Sequence, residues 1–184
     1  MGDGSGFVRE FVSLDDVGLG NAYLLGPGEG QHSAANGGWR TLLTRGADTH
    51  GDVGVMMCSG NETTPTMPHL HRRTTELVFA LDGVTRVWLD DQNGTRIVRD
   101  VVPGEFAVLP RDWIHAWAFM EPNSRQLGIM APGGFEKIVD FLDPNVPTSI
   151  ERLRESEKHL DVVWTPEFPL FGDTEELLAA VKAG

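Results

Sequence analysis

Residues 68–83 read PHLHRRTTELVFALDG, and this segment carries the first structural information. His69 and His71 are two residues apart, so on an extended chain both imidazoles point to the same face. Glu76 follows after a gap long enough for a short turn, and it opens an apolar run that ends before Gly83. The segment therefore predicts two short strands that carry two imidazoles and one carboxylate.

A second segment, PGEFAVLPRDWIHAWAF at residues 103–119, contains His115. This histidine stands among Trp113, Trp117, Phe119 and several alanines, so its strand is expected to be buried. A buried imidazole needs a polar partner, because burying an unpaired polar group is costly. We therefore expect the side chain of His115 to lie beside the polar side chains of the first segment.

Together the two segments predict one metal site. Three imidazoles and one carboxylate suit Zn, Fe, Mn, Co, Ni or Cu, and water or substrate can complete the coordination shell. The alternative is a pair of exposed histidines and one hydrogen-bonded core histidine. The predicted ligands of the single divalent transition metal are His69, His71, Glu76 and His115.

The rest of the chain predicts an all-β protein. Its 184 residues suit one domain, and its 22 glycines and 11 prolines indicate many turns. Turn signals such as Asp82-Gly83 and Asn93-Gly94 separate short apolar or alternating runs. Around eight strands at this spacing favour a sandwich, jelly roll or barrel. The predicted strands are Trp39–Thr44, Val53–Cys58, Glu76–Leu81, Thr85–Leu89, Thr95–Val101, Phe106–Leu109, Ile114–Met120 and Arg125–Met130.

Helical periodicity is concentrated in the C-terminal part. It predicts helices over Gly134–Leu142, over Thr148–Leu160 and over Asp173–Lys182, the second with a capping-box start. We expect these helices to pack outside the barrel. Residues 1–184 are thus predicted to form one domain, with a barrel core at about 39–131 and a helical extension at about 133–184.

Charge and composition exclude several classes of function. The formal net charge of −12 argues against nucleic acid and against an anionic membrane surface as partners. No apolar run approaches the ~20 residues that span a bilayer. The N-terminus lacks the basic and apolar regions of a signal peptide, so we expect a cytoplasmic protein, with export by a route that needs no such signal as the alternative. Cys58 is the only cysteine, which excludes an internal disulfide and a thiolate zinc site.

The two histidine segments resemble the two motifs of the cupin superfamily. The first motif is His-x-His, a gap of three or four residues, Glu, six residues and Gly, and residues 69–83 match it throughout. In the second motif Asp112 replaces the usual Gly and Phe119 the usual final Asn, and Thr63 stands where a Gly often precedes the first motif. The resemblance implies a jelly-roll barrel with the metal inside. The matching residues of the second motif are Gly104, Pro110 and His115.

The run GIMAPGGFEKIVDFL at residues 128–142 resembles the single-cupin bacterial flavonol dioxygenases, or quercetinases, as do the chain length and the ligand set. That resemblance implies dioxygen-dependent opening of the flavonol heterocycle, with carbon monoxide and a depside as products. It implies nickel or cobalt as the favoured metal, with manganese, iron or copper as alternatives. It also implies a homodimer, in which an N-terminal strand such as Phe7–Leu14 could cross to the partner.

Apolar residues near the histidines predict the substrate pocket. Alternate residues on the strand of His115 share its parity and should face the cavity. On one neighbouring strand either Phe79 or Val78 could line it, and on another either Met56 or Met57. Such a lining predicts a flat, apolar ligand, although ordinary core packing is the alternative for each residue. The candidate pocket residues are Trp113, Trp117, Phe119, Phe79 and Met57.

Glu76 is the one predicted ligand that is able to accept the proton of a flavonol 3-hydroxyl. We therefore predict Glu76 as the catalytic base, moving between the metal and the substrate oxygen. Two other functions stay open: a different metal-dependent cupin oxygenase or isomerase acting on a small molecule, and a non-catalytic ligand-binding cupin. Polar groups beside the histidines would favour sugar or oxalate chemistry, and the aromatic residues around His115 argue against it.

Overall fold

Alternation of apolar and polar side chains organises most of the chain into short antiparallel strands. A computed structural model describes residues 12–13, 21–35, 38–61, 65–141 and 149–170. These residues form two large sheets and a short hairpin. The hairpin pairs β1 (Val12–Ser13) with β2 (Asn21–Ala22).

The larger sheet has six antiparallel strands. Its strands are, in spatial order, β10 (Phe106–Leu109), β7 (Thr75–Asp82), β12 (Ser124–Ala131), β5 (Gly54–Gly60), β4 (Gly38–Thr44) and β3 (Gln31–Ala35). The other sheet has five strands. They are β13 (Val163–Trp164), β6 (His69–Leu70), β11 (Ile114–Phe119), β8 (Thr85–Asp90) and β9 (Arg96–Val101).

Between β5 and β13 the chain crosses repeatedly from one sheet to the other. Most strands that follow each other in this stretch therefore lie in opposite sheets, except β8 and β9, which pair within the five-stranded sheet. This is the arrangement of a jelly roll. The two inner faces share buried clusters, because apolar residues of both sheets pack together. One such cluster contains Val78, Ala80, Val87, Leu89, Val101 and Leu109.

The predicted strands are confirmed, with ends that differ from the prediction by no more than two residues. The turn glycines also have the expected conformation, with φ of 64° at Gly83 and 111° at Gly94. Gly83 is required for a second reason: a Cβ there would lie 2.1 Å from the side-chain oxygen of Ser124. Local sequence signals thus account for this part of the fold.

The C-terminal extension differs from the prediction of helices packed outside. Residues Phe135–Asp140 form a 3-10 helix rather than an α-helix. The only α-helix among the described residues is α1 (Ile150–Ser156), shorter than predicted, and its cap is Ser149, whose hydroxyl accepts from the Arg152 N–H at 3.2 Å. The expected helix Asp173–Lys182 lies outside the described residues, as does most of Phe7–Leu14.

The extension also contributes a strand to the core structure. Val163 and Trp164 of β13 pair with Leu70 and His69 of β6. This strand covers an edge of the five-stranded sheet that would otherwise leave backbone groups unpaired. The segment therefore completes the sheet that carries two of the histidines. Among the described residues, no helix has the length and apolar character that crossing a membrane requires.

Candidate metal centre

The four predicted ligands come together in the interior. Their candidate ligand atoms all lie within 4.8 Å of one another, and the residues are 3%, 0%, 5% and 1% exposed in sequence order. His69 and His115 are cross-strand partners on β6 and β11. Glu76 belongs to β7 of the opposite sheet, so the cluster joins the two sheets. The cluster comprises His69, His71, Glu76 and His115.

Each imidazole is oriented by a backbone carbonyl. The Nδ1 atom of His69 lies 2.8 Å from the Met67 oxygen, and that of His115 lies 3.1 Å from the Trp113 oxygen. The Nδ1 atom of His71 lies 2.5 Å from the Asp161 oxygen. A carbonyl only accepts hydrogen bonds, so in each neutral ring Nδ1 carries the proton and Nε2 is a bare acceptor.

The acceptor atoms of the cluster face each other without donors. Within the described part of the chain, the Nε2 atoms of all three histidines and Oε2 of Glu76 are buried and have no hydrogen-bond partner. Oε2 lies 3.5 Å from Nε2 of both His71 and His115. Buried polar atoms are normally satisfied, and four converging acceptors are satisfied together by a cation. The cluster therefore fits a metal ion.

The pKa shifts of His69 and Glu76 also favour metal binding, because both shifts favour the deprotonated form of the side chain. Burial lowers the pKa of His69 well below its usual value, and the neighbouring His115 and His71 lower it further, so the ring is neutral. Burial by itself would raise the pKa of Glu76, but its contacts with the imidazoles of His115 and His71 outweigh burial and hold it well below its usual range. Three imidazoles and one carboxylate form a donor set that suits one divalent transition metal of several kinds.

Aromatic rings pack directly on the imidazoles. The ring centroid of Phe135 lies 4.3 Å from that of His71 and 5.5 Å from that of His69. The Trp164 ring lies 4.8 Å from His69, and its Nε1 donates to the Ser156 hydroxyl at 3.1 Å. These contacts restrict the rotation of the imidazoles, which keeps the Nε2 atoms aimed at one point.

Glu136 explains why the Gly-Phe-Glu sequence holds this arrangement. Its side chain is fully buried and accepts from the backbone N–H groups of Gly46 at 2.8 Å and Gly134 at 2.5 Å. The carboxylate thus ties the start of the 3-10 helix to the beginning of an earlier one at Gly46–Thr49. Phe135, the residue before it, is thereby held against the histidines.

Asp161 is a positioning residue that sequence reasoning missed. Besides its carbonyl contact with His71, its carboxylate accepts from the backbone N–H groups of Arg72 at 3.1 Å, Arg73 at 2.9 Å and Thr74 at 2.8 Å. Burial would raise the pKa of this carboxyl, but the backbone hydrogen bonds outweigh it and lower the pKa. No local signal marks Asp161, because its partners lie 87 to 90 residues earlier in the chain.

Asp112, the departure from the second motif, sits beside the same loop. Its φ is 65°, a left-handed conformation that glycine adopts more easily, which accounts for the glycine usual at this place. Its backbone N–H donates to the His71 carbonyl at 2.7 Å, and its carboxylate meets Arg72 at 2.9 Å. The Asp112 turn thus holds the backbone of His71 through a hydrogen bond.

A cavity opens onto the cluster. Residues of both sheets and of the C-terminal extension line it. Most of the lining is apolar, and Arg40 is its only cationic side chain among the described residues. The lining residues are Arg40, Met56, Cys58, Thr66, Met67, His69, Glu76, Trp117, Gly128, Phe135, Ile138, Leu153 and Trp164.

The three predicted pocket residues on the strand of His115 lie at different distances from the cavity. Trp117 lines the cavity. Phe119 is buried behind it, with ring centroids 5.2 Å apart. Trp113 packs instead against the cluster around Val78, at the other end of the strand. Alternation along the strand therefore places all three side chains on the same side as His115. The position of each residue along the strand determines whether it contacts the cavity, and only Trp117 does.

Met57 and Phe79, two of the predicted pocket residues, do not line this cavity. On β5 the inward residues are Met56 and Cys58, so Met57 lies on the outer face. On β7 Glu76 points inward, and Phe79 has the opposite parity and pairs with Phe106 on the outside. Both strands are apolar on both faces, so the sequence alone did not assign the inner one.

Two curated proteins that are similar in sequence are both quercetin 2,3-dioxygenases. The chain is 28% identical to the protein of Aspergillus japonicus over 79 residues, which are 43% of this chain and 23% of that protein. It is 25% identical to the protein of Bacillus subtilis strain 168 over 129 residues, which are 70% of this chain and 36% of that protein. The chain thus spans well under half the length of these relatives. No protein-family model matches it.

Solved structures with a similar fold are cupins. A cupin of the RmlC-like type from Shewanella frigidimarina has a TM-score of 0.50 at 12% identity, covering 61% of this chain and 92% of that chain. A mutant of oxalate decarboxylase from Bacillus subtilis has a TM-score of 0.54 at 14% identity, covering 97% of this chain and 38% of that chain. The chain has the cupin fold, which its two histidine motifs predicted.

Proposed function

We propose that this cupin-fold chain is a metal-dependent dioxygenase that opens the heterocycle of flavonols such as quercetin. The reaction consumes one dioxygen and yields carbon monoxide and a depside. The observation that carries the proposal is the apolar, aromatic-lined cavity that ends on the His69, His71, Glu76 and His115 cluster. Similarity to quercetin 2,3-dioxygenases supports the same substrate class.

The lining fits a flat aromatic ligand. Trp117, Phe135 and Trp164 supply ring faces, and Met56 and Met67 supply flexible apolar contacts. These side chains exclude water from the end of the cavity, which strengthens electrostatic interactions with a substrate anion. Gly128 adds room beside Glu76, since no side chain fills that position.

A divalent transition metal held by the four ligands would act as a Lewis acid that stabilises a deprotonated substrate hydroxyl. Glu76 is the group in this cluster that can accept the proton. In each histidine Nδ1 is already committed to a carbonyl and Nε2 faces the cluster. Glu76 has a second oxygen, Oε1, which would lie 3.8 Å from a Cβ at Gly128, on the cavity side.

We assign Glu76 the role of general base toward the flavonol 3-hydroxyl. It takes the proton onto a carboxylate oxygen and, once protonated, donates a hydrogen bond to the flavonolate oxygen. The flavonolate is electron-rich at C2, where dioxygen adds before bridging to C4. C3 and its oxygen then leave as carbon monoxide, and both atoms of dioxygen remain in the depside. Glu76 returns its proton to the carboxylate formed at C4. The histidines hold the metal and take no proton.

Aerobic incubation with quercetin tests the proposal. The chain is loaded separately with Ni, Co, Mn, Fe or Cu, and loss of the flavonol absorption band is followed together with release of carbon monoxide. We expect bleaching with at least one metal and none for His115→Ala, which lacks a ligand. Absence of bleaching with every metal would remove the proposal.

We further propose nickel or cobalt as the native metal, on the family resemblance alone. Metal analysis of the chain expressed in a medium with equal concentrations of the candidate metals tests this. Nickel or cobalt at close to one ion per chain supports it, and occupancy by another metal contradicts it.

We also propose a homodimer formed through the outer face of the six-stranded sheet. Phe106 and Val108 are 51% and 49% exposed there. Phe106 pairs with Phe79, which pairs with Leu127, which pairs with Met57, so an apolar row crosses four strands. Light scattering after size exclusion should give a dimer for the parent chain and a monomer for Phe106→Glu. A monomeric parent chain contradicts the dimer.

A further inference from the structure

Arg40 differs from most of the other described arginines in its lack of an ion-pair partner. Eight of them form an ion pair with a carboxylate. Arg40 lines the cavity, is half-buried, and has no carboxylate or hydrogen-bond partner among the described residues. A guanidinium removed from water without a partner is costly, so its place in an apolar cavity needs a reason.

The position of Arg40 is defined by the register of the six-stranded sheet. Arg40 on β4 pairs with Cys58 on β5, which pairs with Gln126 on β12, which pairs with Ala80 on β7. Glu76 is on β7 as well, four residues before Ala80. Arg40 is therefore three strands from β7, about 14 Å across the sheet, and its row lies roughly 13 Å along β7 from Glu76.

Arg40 and Glu76 thus stand at opposite corners of one inner face, and both reach the same cavity. Between them lie Met56, Cys58 and Gly128, which offer no charge. The Cys58 thiol stays protonated, since burial raises its pKa to about 11 despite the nearby Arg40 charge. A ligand that touches both corners must be elongated, apolar in the middle and rich in oxygen at the far end.

We propose that Arg40 is a specificity residue that binds oxygen substituents on the end of the ligand remote from the metal. Its planar guanidinium presents several donors in a fork, which matches two neighbouring oxygens such as vicinal phenolic hydroxyls. This inference rests on the proposed flavonol function and names the preferred subclass: flavonols that are hydroxylated away from the 3-hydroxyl. The ligand oxygens would supply the hydrogen-bond acceptors that Arg40 lacks among the described residues.

Equilibrium binding without dioxygen tests the inference, because no turnover then occurs. The cobalt-loaded chain is titrated by calorimetry with quercetin and with 3-hydroxyflavone, which keeps the 3-hydroxyl and lacks all the others. We expect Arg40→Met to weaken quercetin binding about tenfold and to change 3-hydroxyflavone binding less than about twofold. Arg40→Lys should recover part of the loss, since it keeps the charge without the fork.

Galangin, which lacks hydroxyls on the pendant phenyl ring, identifies the ring that Arg40 contacts. If Arg40→Met weakens galangin binding as much as quercetin binding, Arg40 contacts hydroxyls of the fused ring. If it weakens only quercetin binding, Arg40 contacts hydroxyls of the pendant ring. The matched control is Arg125→Met, on the outer face of the same sheet, which should change no affinity. Metal content and melting temperature verify that each variant is folded.

The outcomes separate this inference from the proposed function. Equal losses for quercetin and 3-hydroxyflavone, or no loss for either, would overturn the role of Arg40 even if quercetin is turned over. If quercetin binds more tightly than 3-hydroxyflavone in an Arg40-dependent way but is not turned over, the role of Arg40 stands and the proposed dioxygenase activity is wrong. Failure of the parent chain to bind either flavonol would overturn both.

Discussion

Nδ1 of His71 donates a 2.5 Å hydrogen bond to the backbone oxygen of Asp161, a residue 90 positions further along the chain. The Asp161 carboxylate meanwhile binds the three backbone N–H groups that follow His71. One residue of the C-terminal extension therefore holds both the imidazole and its loop. The cluster of ligands depends on this extension as much as on the two motifs.

Removing the Asp161 carboxylate should weaken the metal site. Asp161→Ala frees three N–H groups, of which only that of Thr74 is on a buried residue, so we expect a loss of about 1–3 kcal/mol in unfolding free energy. Metal affinity should fall about tenfold or more, because the support of a ligand is lost. Urea unfolding and chelator competition measure the two effects. Asp140→Ala, which removes an exposed ion pair with Arg45, serves as control and should change neither.

The same carboxylate predicts a pH dependence. The folded-state pKa of Asp161 is lower than its unfolded value, so its contribution to stability is present above the unfolded value of about 4 and is lost as pH falls through the folded value. The difference in unfolding free energy between the parent chain and Asp161→Asn should be constant near neutral pH and shrink below about pH 4. A difference that stays constant into strong acid would show that the Asp161 charge contributes nothing.

Glu76→Gln separates metal binding from proton transfer. The amide keeps the shape of the carboxylate and one oxygen donor but cannot accept the proton, so turnover of quercetin should fall by about 100-fold or more. The protein should still bind metal, although more weakly than the parent chain. Metal analysis and the bleaching assay are run on the same sample. Near-normal turnover by a metal-loaded Glu76→Gln variant would rule out the base role.

Gly128 tests whether the cavity is the substrate site. A Cβ there would meet its nearest neighbours at 3.7 to 4.0 Å, ordinary contact distances, so Gly128→Ala should leave fold and metal content unchanged. Gly128→Leu would project into the cavity beside Glu76 and should weaken flavonol binding about tenfold or more. Calorimetric titration with quercetin compares the two. Equal affinities for both variants would place the flavonol elsewhere.

Replacing Asp112 should change the stability of the fold without changing its function. Its left-handed backbone costs a non-glycine residue about 1–2 kcal/mol, and its exposed ion pair with Arg72 returns little. Asp112→Gly should therefore raise the unfolding free energy, by up to about 1 kcal/mol, because glycine also loses more chain entropy on folding. Asp112→Ala should lower it. A gain with alanine and a loss with glycine would contradict the backbone explanation.

The sequence by itself determined the strands and the four candidate ligands. Strands follow from alternation over a few residues, and Asp82-Gly83 and Asn93-Gly94 mark turns through local backbone preference. The ligands are readable because His69, His71 and Glu76 lie within eight residues and His115 stands in an unmistakably buried strand. All of these signals act over short distances along the chain.

Only the tertiary structure decided how the site is completed. Asp161, Trp164 and Arg40 reach it from strands and loops distant in sequence, and none carries a local mark of that role. It also decided that Met56 rather than Met57 lines the cavity. A strand that is apolar on both faces does not encode which face meets the core, because that choice depends on the sheet packed against it.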